Sequence, residues 1–320
     1  MTGSSGEFLA ALSALSRRGA VEVVVGARAG GAAVGTLVAD VFAPAEREVG
    51  LRWERDEWSV AQEHAATVIA ELALSAVSQD GHDRVHGRLV AACVSGEWHA
   101  FPVRLVAESL RDLGWSVTCL GGSVPADQLE GFLREHRPDA VLLSATLAAS
   151  LPGALESVAA ARRAGVPAVL GGAAADAYPA AAAAVGAHAA PSDVLAVHDL
   201  LERLVGSPPL PEPPGAQAQQ RCRDLHSERP ALVDALGGAA SALPAAAGSL
   251  LAPLVDTLAA AALLGDTAPL DDFTDWLTGV VRVRGGDPAA VDALVQALRR
   301  EAAPLVPELG ELATAGVRRG

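Results

Sequence analysis

Between Arg88 and Val205, short apolar runs alternate with amphipathic segments five times, and this alternation restricts the chain more than any other feature. Runs at 88–94, 115–120, 139–144, 166–171 and near 187–190 read as strands. Helical spacing follows each of them, at 103–113, 126–136, 152–164, 176–184 and 192–205. Such alternation packs as parallel strands with helices on both faces, which predicts an α/β fold with a five-stranded doubly wound sheet. In open α/β sheets ligands bind at the carboxyl edge, on the loops that leave the strands. The loops of interest are therefore Glu97–His99, Gly121-Gly122, Ser144–Thr146 and Gly171-Gly172.

The flanking regions follow a different period. Phe8, Leu9, Leu12 and Leu15 share one face of a helix expected over 7–18 and ended by Gly19. Val21–Val25 suits strand or helix, and Gly30-Gly31 marks a turn. Helical spacing resumes at Thr36, bends at Pro44, and returns over Val60–Val77. The whole reads as a helical bundle, 1–84. Residues 81–87 form a linker carrying His82 and His86 as exposed residues, and His136, His188 and His198 read as residues of helix ends or outer elements. The α/β domain spans 85–206, and a Pro-rich linker is expected over 207–220. The remaining 221–320 are expected to be all-α, with Asp287-Pro288 starting one helix and Phe273, Trp276, Leu277 and Val280 on one face of another. Gly238–Leu264 is rich in Ala but broken by Pro244, Pro253 and Asp256, which reads as packed helices and not a membrane span.

The chain has 320 residues, 51% of them hydrophobic, and a formal charge of −14. That is ample material for cores and the wrong sign for a surface that binds nucleic acid or anionic membrane. Cys93, Cys119 and Cys222 have no metal-type spacing, and two of them fall in strands, so they read as small buried apolar residues in a reducing cytoplasm. The first residues lack the basic and apolar pattern of a secretion signal.

Glu97 and His99 sit two apart on the loop between the first strand and its helix. A carboxylate so placed can orient an imidazole and raise its basicity as a metal ligand. The residues alone leave two readings open: a metal-ligating histidine, or a helix-entry histidine with no ligand. Ser144 and Thr146 end the third strand, and Gly171-Gly172 ends the fourth. Without a ligand these are an ordinary strand end and an ordinary turn. The order Glu97-x-His99, then Ser144-x-Thr146, then Gly171-Gly172 resembles the three-part signature of cobalamin-binding Rossmann-like domains. That resemblance implies His99 as the lower axial ligand of the cobalt, and a slot for the cofactor's nucleotide tail beside Ser144, Gly171 and Gly172. The family has Gly where this chain has Pro102, which bears on the path of the loop.

In the bundle, Trp53 is separated by nine residues from Glu63-His64. Read alone, these are a core tryptophan and a surface pair on a helix. The spacing is similar to the Trp-x9-Glu-His element of CarH-type light-sensing cobalamin modules. In those modules the tryptophan packs over the group above cobalt, and the Glu and His approach the adenosyl moiety. The resemblance implies adenosylcobalamin as cofactor, with Trp53, Glu63 and His64 on its upper side. It implies a non-enzymatic sensor that answers photolysis of the cobalt–carbon bond by a change in domain or oligomer arrangement. Those sensors carry His after the tryptophan; here it is Glu54, so that light-state ligand is not carried over. The alternative is a corrinoid carrier for methyl transfer, which shares the lower motif but does not need Trp53 with Glu63-His64. Membership of the photocobilin subgroup would add biliverdin, with Arg282, Arg284, Arg299 and Arg300 available to its propionates. The expected partners are a second copy of the chain or another protein under light control, without direct contact to nucleic acid or membrane.

Overall fold

Ser16 and Ser59 start two of the amino-terminal helices. Each takes an extended backbone and turns its hydroxyl onto a first-turn N–H, and Ser59 completes a capping box with Gln62. The computed structural model describes residues 2–78, 86–213, 215–241, 243–244 and 249–306; His82 lies outside them. The bundle comprises α1 (Thr2–Ser13), α2 (Arg17–Ala29), α3 (Val34–Leu37), α4 (Ala43–Glu54) and α5 (Val60–Val77), with a π-helical turn, Val38–Phe42, joining α3 to α4. Gly19 does not end the first helix. That helix stops at Ser13, Leu15 turns left-handed, and the Ser16 cap starts α2, which takes in Gly19 and Val21–Val25. The bend expected at Pro44 is the π turn just before it, where the Ala43 N–H bonds back to Val38 O; Pro44, the second residue of α4, has no N–H to give to that turn.

The sheet has the order β2-β1-β3-β4-β5, all parallel: β1 (Arg88–Cys93), β2 (Ser116–Gly121), β3 (Ala140–Ser144), β4 (Ala168–Gly171) and β5 (His188–Ala189). The helices between and after the strands are α6 (Ala100–Asp112), α7 (Ala126–His136), α8 (Leu151–Ala164), α9 (Ala173–Ala177), α10 (Ala181–Val185) and α11 (Val194–Leu204). The single helix expected over 176–184 is instead α9 and α10. Pro179 forces Tyr178 out of the helical region, to φ −122 and ψ 84, and the helix breaks there. Because β2 and β3 flank β1 on opposite sides, the chain reverses its direction across the sheet between β1 and β3. The crevice at their carboxyl ends is where a doubly wound sheet binds its ligand.

The bundle docks on the outer side of α6. Phe101 and Leu105 complete the bundle's own core of Phe8, Leu12, Leu37, Phe42 and Leu74, and Phe42 meets Phe101 edge to face at 6.1 Å. Arg104 pairs with Glu71 at 3.0 Å, and Arg28 pairs with Asp112, which also accepts from Val34 N–H at 3.0 Å.

Beyond the sheet run α12 (Ala216–Ser227), α13 (Arg229–Ala240), α14 (Leu251–Leu264), α15 (Ala268–Val283) and α16 (Pro288–Ala302). α12 begins inside the stretch read as linker. α14 is buried over most of its length, which explains its Ala-rich, apolar composition; its one charged residue, Asp256, is buried and pairs with Arg229 at 2.6 Å and His226 at 2.7 Å. These helices share one continuous core with α7, α8 and one face of the sheet, running from Val141 and Leu143 through Leu155 to Leu254, Leu277 and Leu294. Among the described residues no helix is long and apolar enough to cross a membrane.

Candidate functional site

Glu97 is the centre of the crevice. It is 1% exposed, and its carboxylate accepts five hydrogen bonds. Oε1 takes the backbone N–H of His99 at 2.9 Å and is paired with its ring Nδ1 at 2.6 Å. Oε2 takes the N–H groups of Thr146 and Leu147 at 2.7 and 3.3 Å and the Ser150 hydroxyl at 2.9 Å. The carboxylate therefore ties the loop after β1 to the loop after β3. Burial alone pushes the Glu97 carboxyl up, but the bonds and charge from His99 and the backbone N–H of Thr146 outweigh it and hold the group at about 2.

His99 caps α6 and is half exposed, its side chain 54% accessible. Its pKa is raised, first by the hydrogen bond to Glu97, against burial, and further by the charges of Glu97 and of Glu63 from the bundle. With Nδ1 committed to the carboxylate, Nε2 is the ring nitrogen left for a ligand, which is the arrangement of a metal-bound histidine with its orienting partner. Pro102 does not disturb this loop. It is the third residue of α6, in the turn whose N–H groups have no intrahelical partner.

Beside His99 a cleft of about 190 Å³ runs down the sheet edge, lined by Pro102, Val103, Ser144, Gly171, Gly172 and Asp176 among others. Ser144 is paired in register with Cys93 on one side and Gly171 on the other. Gly172 holds φ +98, and a Cβ there would lie 2.5 Å from Ala145 O, so only glycine allows this turn. The Thr146 hydroxyl oxygen is buried without a partner. Small residues along a cleft, an unsatisfied hydroxyl and a histidine with a free ring nitrogen fit a corrinoid with an extended tail.

On the bundle side, Glu63 pairs with His64 Nδ1, and its other oxygen is 3.4 Å from the Thr67 hydroxyl. That hydroxyl also reaches Glu46 at 3.2 Å. Trp53 is turned to the C-terminal helices, where its ring stacks on Trp276 at 6.1 Å and lies 5.0 Å from the Arg284 guanidinium. The structure thus gathers Glu97, His99, Ser144, Thr146, Gly171 and Gly172 at one edge. It sets Glu63 within electrostatic reach, leaves the His64 side chain 73% exposed, and gives Trp53 ring partners that no sequence spacing pointed to.

A second histidine group lies at the opposite edge of the sheet. His86, expected to be an exposed linker residue, is half-buried and stacked on Trp115 at 5.1 Å, near His198 and Glu202. The Trp115 indole N–H donates to His198 Nδ1 at 2.9 Å. The neutral His198 ring then carries its own proton on Nε2, toward Glu202 at 3.8 Å. This is a hydrogen-bonded cluster that anchors α11 and the starts of β1 and β2.

Residues 87–193 match the B12 binding domain family, and residues 6–78 match a second B12 binding domain family. The HTH-type transcriptional repressor CarH of Myxococcus xanthus is 35% identical over 139 residues, 42% of this chain and 46% of that protein. The repressor CarA of the same organism is 35% identical over 102 residues, 32% of this chain and 34% of that protein. The chain thus spans less than half the length of these curated relatives. Among solved structures, the monomethylamine corrinoid protein of Methanosarcina barkeri shares the fold, with a TM-score of 0.53 at 20% identity over 63% of this chain and 98% of that one. The bundle and the α/β half, each matching a B12 binding domain and together carrying both motifs, make this chain the bearer of a CarH-type cobalamin-binding module.

Proposed function

We propose that the chain is a cytoplasmic light sensor holding adenosylcobalamin between the bundle and the sheet edge, with His99 as lower axial ligand to cobalt. The observation that carries this reading is the buried Glu97 carboxylate fixed to His99 Nδ1 at 2.6 Å, which leaves Nε2 for the metal. When bound, the cofactor supplies a cobalt–carbon bond that visible light breaks. Glu97 holds the imidazole's tautomer and direction; Ser144, Thr146, Gly171 and Gly172 would take the tail, and Glu63, His64 and Trp53, whose ring also meets Trp276 and Arg284, would lie on the side of the upper group. The output is a change in domain or oligomer arrangement, or in contact with a partner protein, in keeping with switches that bias a two-state packing. The relatives are transcriptional repressors by name, which runs against the expectation of no direct contact with nucleic acid. A net charge of −14 supports a protein partner for this chain.

A second reading, a corrinoid carrier for methyl transfer, is favoured by the fold shared with the corrinoid protein of Methanosarcina barkeri. Biliverdin as a further chromophore has less support, because the C-terminal arginines turn to different neighbours. Arg284 binds bundle carbonyls, Arg299 lies 3.9 Å from Asp271, and Arg282 and Arg300 are exposed.

The test adds adenosylcobalamin or methylcobalamin in the dark, removes free cofactor on a desalting column, and records absorbance before and after green light. A sensor retains the adenosyl form by preference and changes its spectrum permanently. A carrier holds the methyl form equally well. His99→Ala should weaken retention by at least the 10–100-fold (about) that loss of an orienting partner costs a metal site, and should change the dark spectrum. Unchanged retention and spectrum in that variant remove His99 as the ligand. A red-absorbing band on adding biliverdin decides the second chromophore.

A further inference from the structure

α15 is fastened to both halves of the module at once. Its polar and ring contacts with the bundle converge on the end of α4. The Arg284 side chain, 11% exposed, donates from Nη2 to Trp53 O at 2.8 Å and from Nη1 to Glu54 O at 3.3 Å, and its Nε lies 3.6 Å from Asp56. These carbonyls belong to the last turn of α4, where a cation offsets the helix dipole; Trp53 O also accepts the Asp56 N–H at 3.1 Å. The same guanidinium lies over the Trp53 ring, and Trp276 stacks on that ring with Phe273 behind it at 5.4 Å. Near its other end, α15 meets the α/β half. Asp272 Oδ2 accepts from the Tyr178 hydroxyl at 2.8 Å, and Tyr178 lies on the segment that leaves Gly171-Gly172. Asp272 and Arg284 are twelve positions apart, roughly 18 Å along a helix. Leu277 and Val281 meanwhile sink into the core shared with α7 and α8.

The C-terminal helices are therefore continuous with the α/β half, while their ring and guanidinium grip on the bundle runs through Trp53. We propose that Trp276 and Arg284 are positioning residues for Trp53, and that α15 is the element to which the state of the cofactor's upper face is passed. This rests on the reading that Trp53 packs against the upper group. One residue shared between ligand and helix couples the two, and coupling is reciprocal: whatever the upper group does to α15, α15 does to the affinity for that group.

The experiment compares retention of adenosylcobalamin with that of hydroxocobalamin, which has no adenosyl group, in the full chain in the dark. The variants are Arg284→Ala and Trp276→Leu, the second keeping an apolar filler should the first fold poorly. Each variant should lose at least about fivefold in adenosylcobalamin affinity, the lower bound of usual coupling, while its hydroxocobalamin affinity stays the same. Amide exchange over 268–284 should rise on green light in the loaded wild type, and should already be high in the dark in both variants. A wild type that prefers adenosylcobalamin while the variants keep that preference overturns the role of α15 and leaves the sensor reading standing. Equal loss for both cobalamins overturns it too, since general damage then explains the effect. A wild type that retains neither cobalamin removes the sensor reading and this inference together.

Discussion

Glu97 at the sheet edge and Glu46 in the bundle are both largely buried carboxylates, and their surroundings move them in opposite directions. Glu97 has five hydrogen bonds to its two oxygens and is held at about 2. Glu46 is pushed up to about 7, first by burial, against one hydrogen bond from Thr67, and further by the charges of Glu63 and Glu71; its Oε1 has no partner. At the sheet edge the Glu97 carboxylate is thus fully bonded and presents one imidazole, with the Thr146 hydroxyl beside it left unpartnered. The bundle side is incomplete, with an orphaned acceptor and an exposed His64. A preorganised floor suits holding a cofactor in one geometry, and an under-satisfied cap suits a surface whose packing depends on what lies beneath it.

Breaking the floor should cost most. In Glu97→Ala, three backbone N–H groups and the Ser150 hydroxyl lose their acceptor, each worth about 1–3 kcal/mol when left unmade. The expected loss is at least about 3 kcal/mol in the apoprotein, read by urea unfolding at pH 7, together with loss of cobalamin retention. The same network sets a pH signature. With its carboxyl at about 2 in the fold against an ordinary 4.5, Glu97 contributes its stabilisation in full above about pH 4.5, and that contribution fades as pH falls toward 2. The shift corresponds to about 3 kcal/mol. Glu97→Ala should remove that acid-side slope, and a variant as acid-sensitive as wild type would show that the carboxylate is not the anchor.

The bundle's carboxylate should behave in the reverse sense. Glu46 has a folded pKa above its unfolded one, so its charged form opposes folding. The penalty is absent below about pH 4.5, grows between 4.5 and 7, and is complete above 7, where the shift amounts to up to about 3 kcal/mol. Glu46→Gln should therefore stabilise the apoprotein at pH 8 and leave it unchanged near pH 4.5. No gain at pH 8 would mean that Glu46 has a partner or solvent access that keeps it ionised at little cost.

The same contrast explains what could be read from sequence. The floor was legible because it is local: Glu97 and His99 are two apart, and Ser144, Thr146, Gly171 and Gly172 fall at the ends of apolar runs that announce a sheet edge. Ser150 was not, because it reaches Glu97 across 53 positions from a helical turn with no distinguishing pattern. The cap was legible as a motif and not as a structure. Trp53 finds Arg284 across 231 positions, and helical periodicity, which puts Phe273, Trp276, Leu277 and Val280 on one face, does not say that Trp276 and Arg284 will meet the bundle. Local misreadings had local causes. Ser16 was the stronger start signal than Gly19 was a stop, and Pro179 broke a helix that apolar spacing alone had joined. His86 looked like linker until Trp115 and His198 were brought beside it by the sheet.

The smallest effect on folding should come from His64, and for that reason it sharpens the comparison most. Its side chain is 73% exposed, and its one described polar partner is the neighbouring Glu63. His64→Ala should therefore shift apoprotein stability by no more than about 0.5 kcal/mol, as exposed substitutions do. Adenosylcobalamin preference over hydroxocobalamin should nonetheless fall, because a residue outside the folded network can act only through the ligand it meets. Calorimetry of the apoprotein and retention of the two cobalamins together separate the alternatives. A drop in melting temperature with no change in preference would make His64 a structural residue of the bundle, and the cap would then reduce to Trp53 and Glu63.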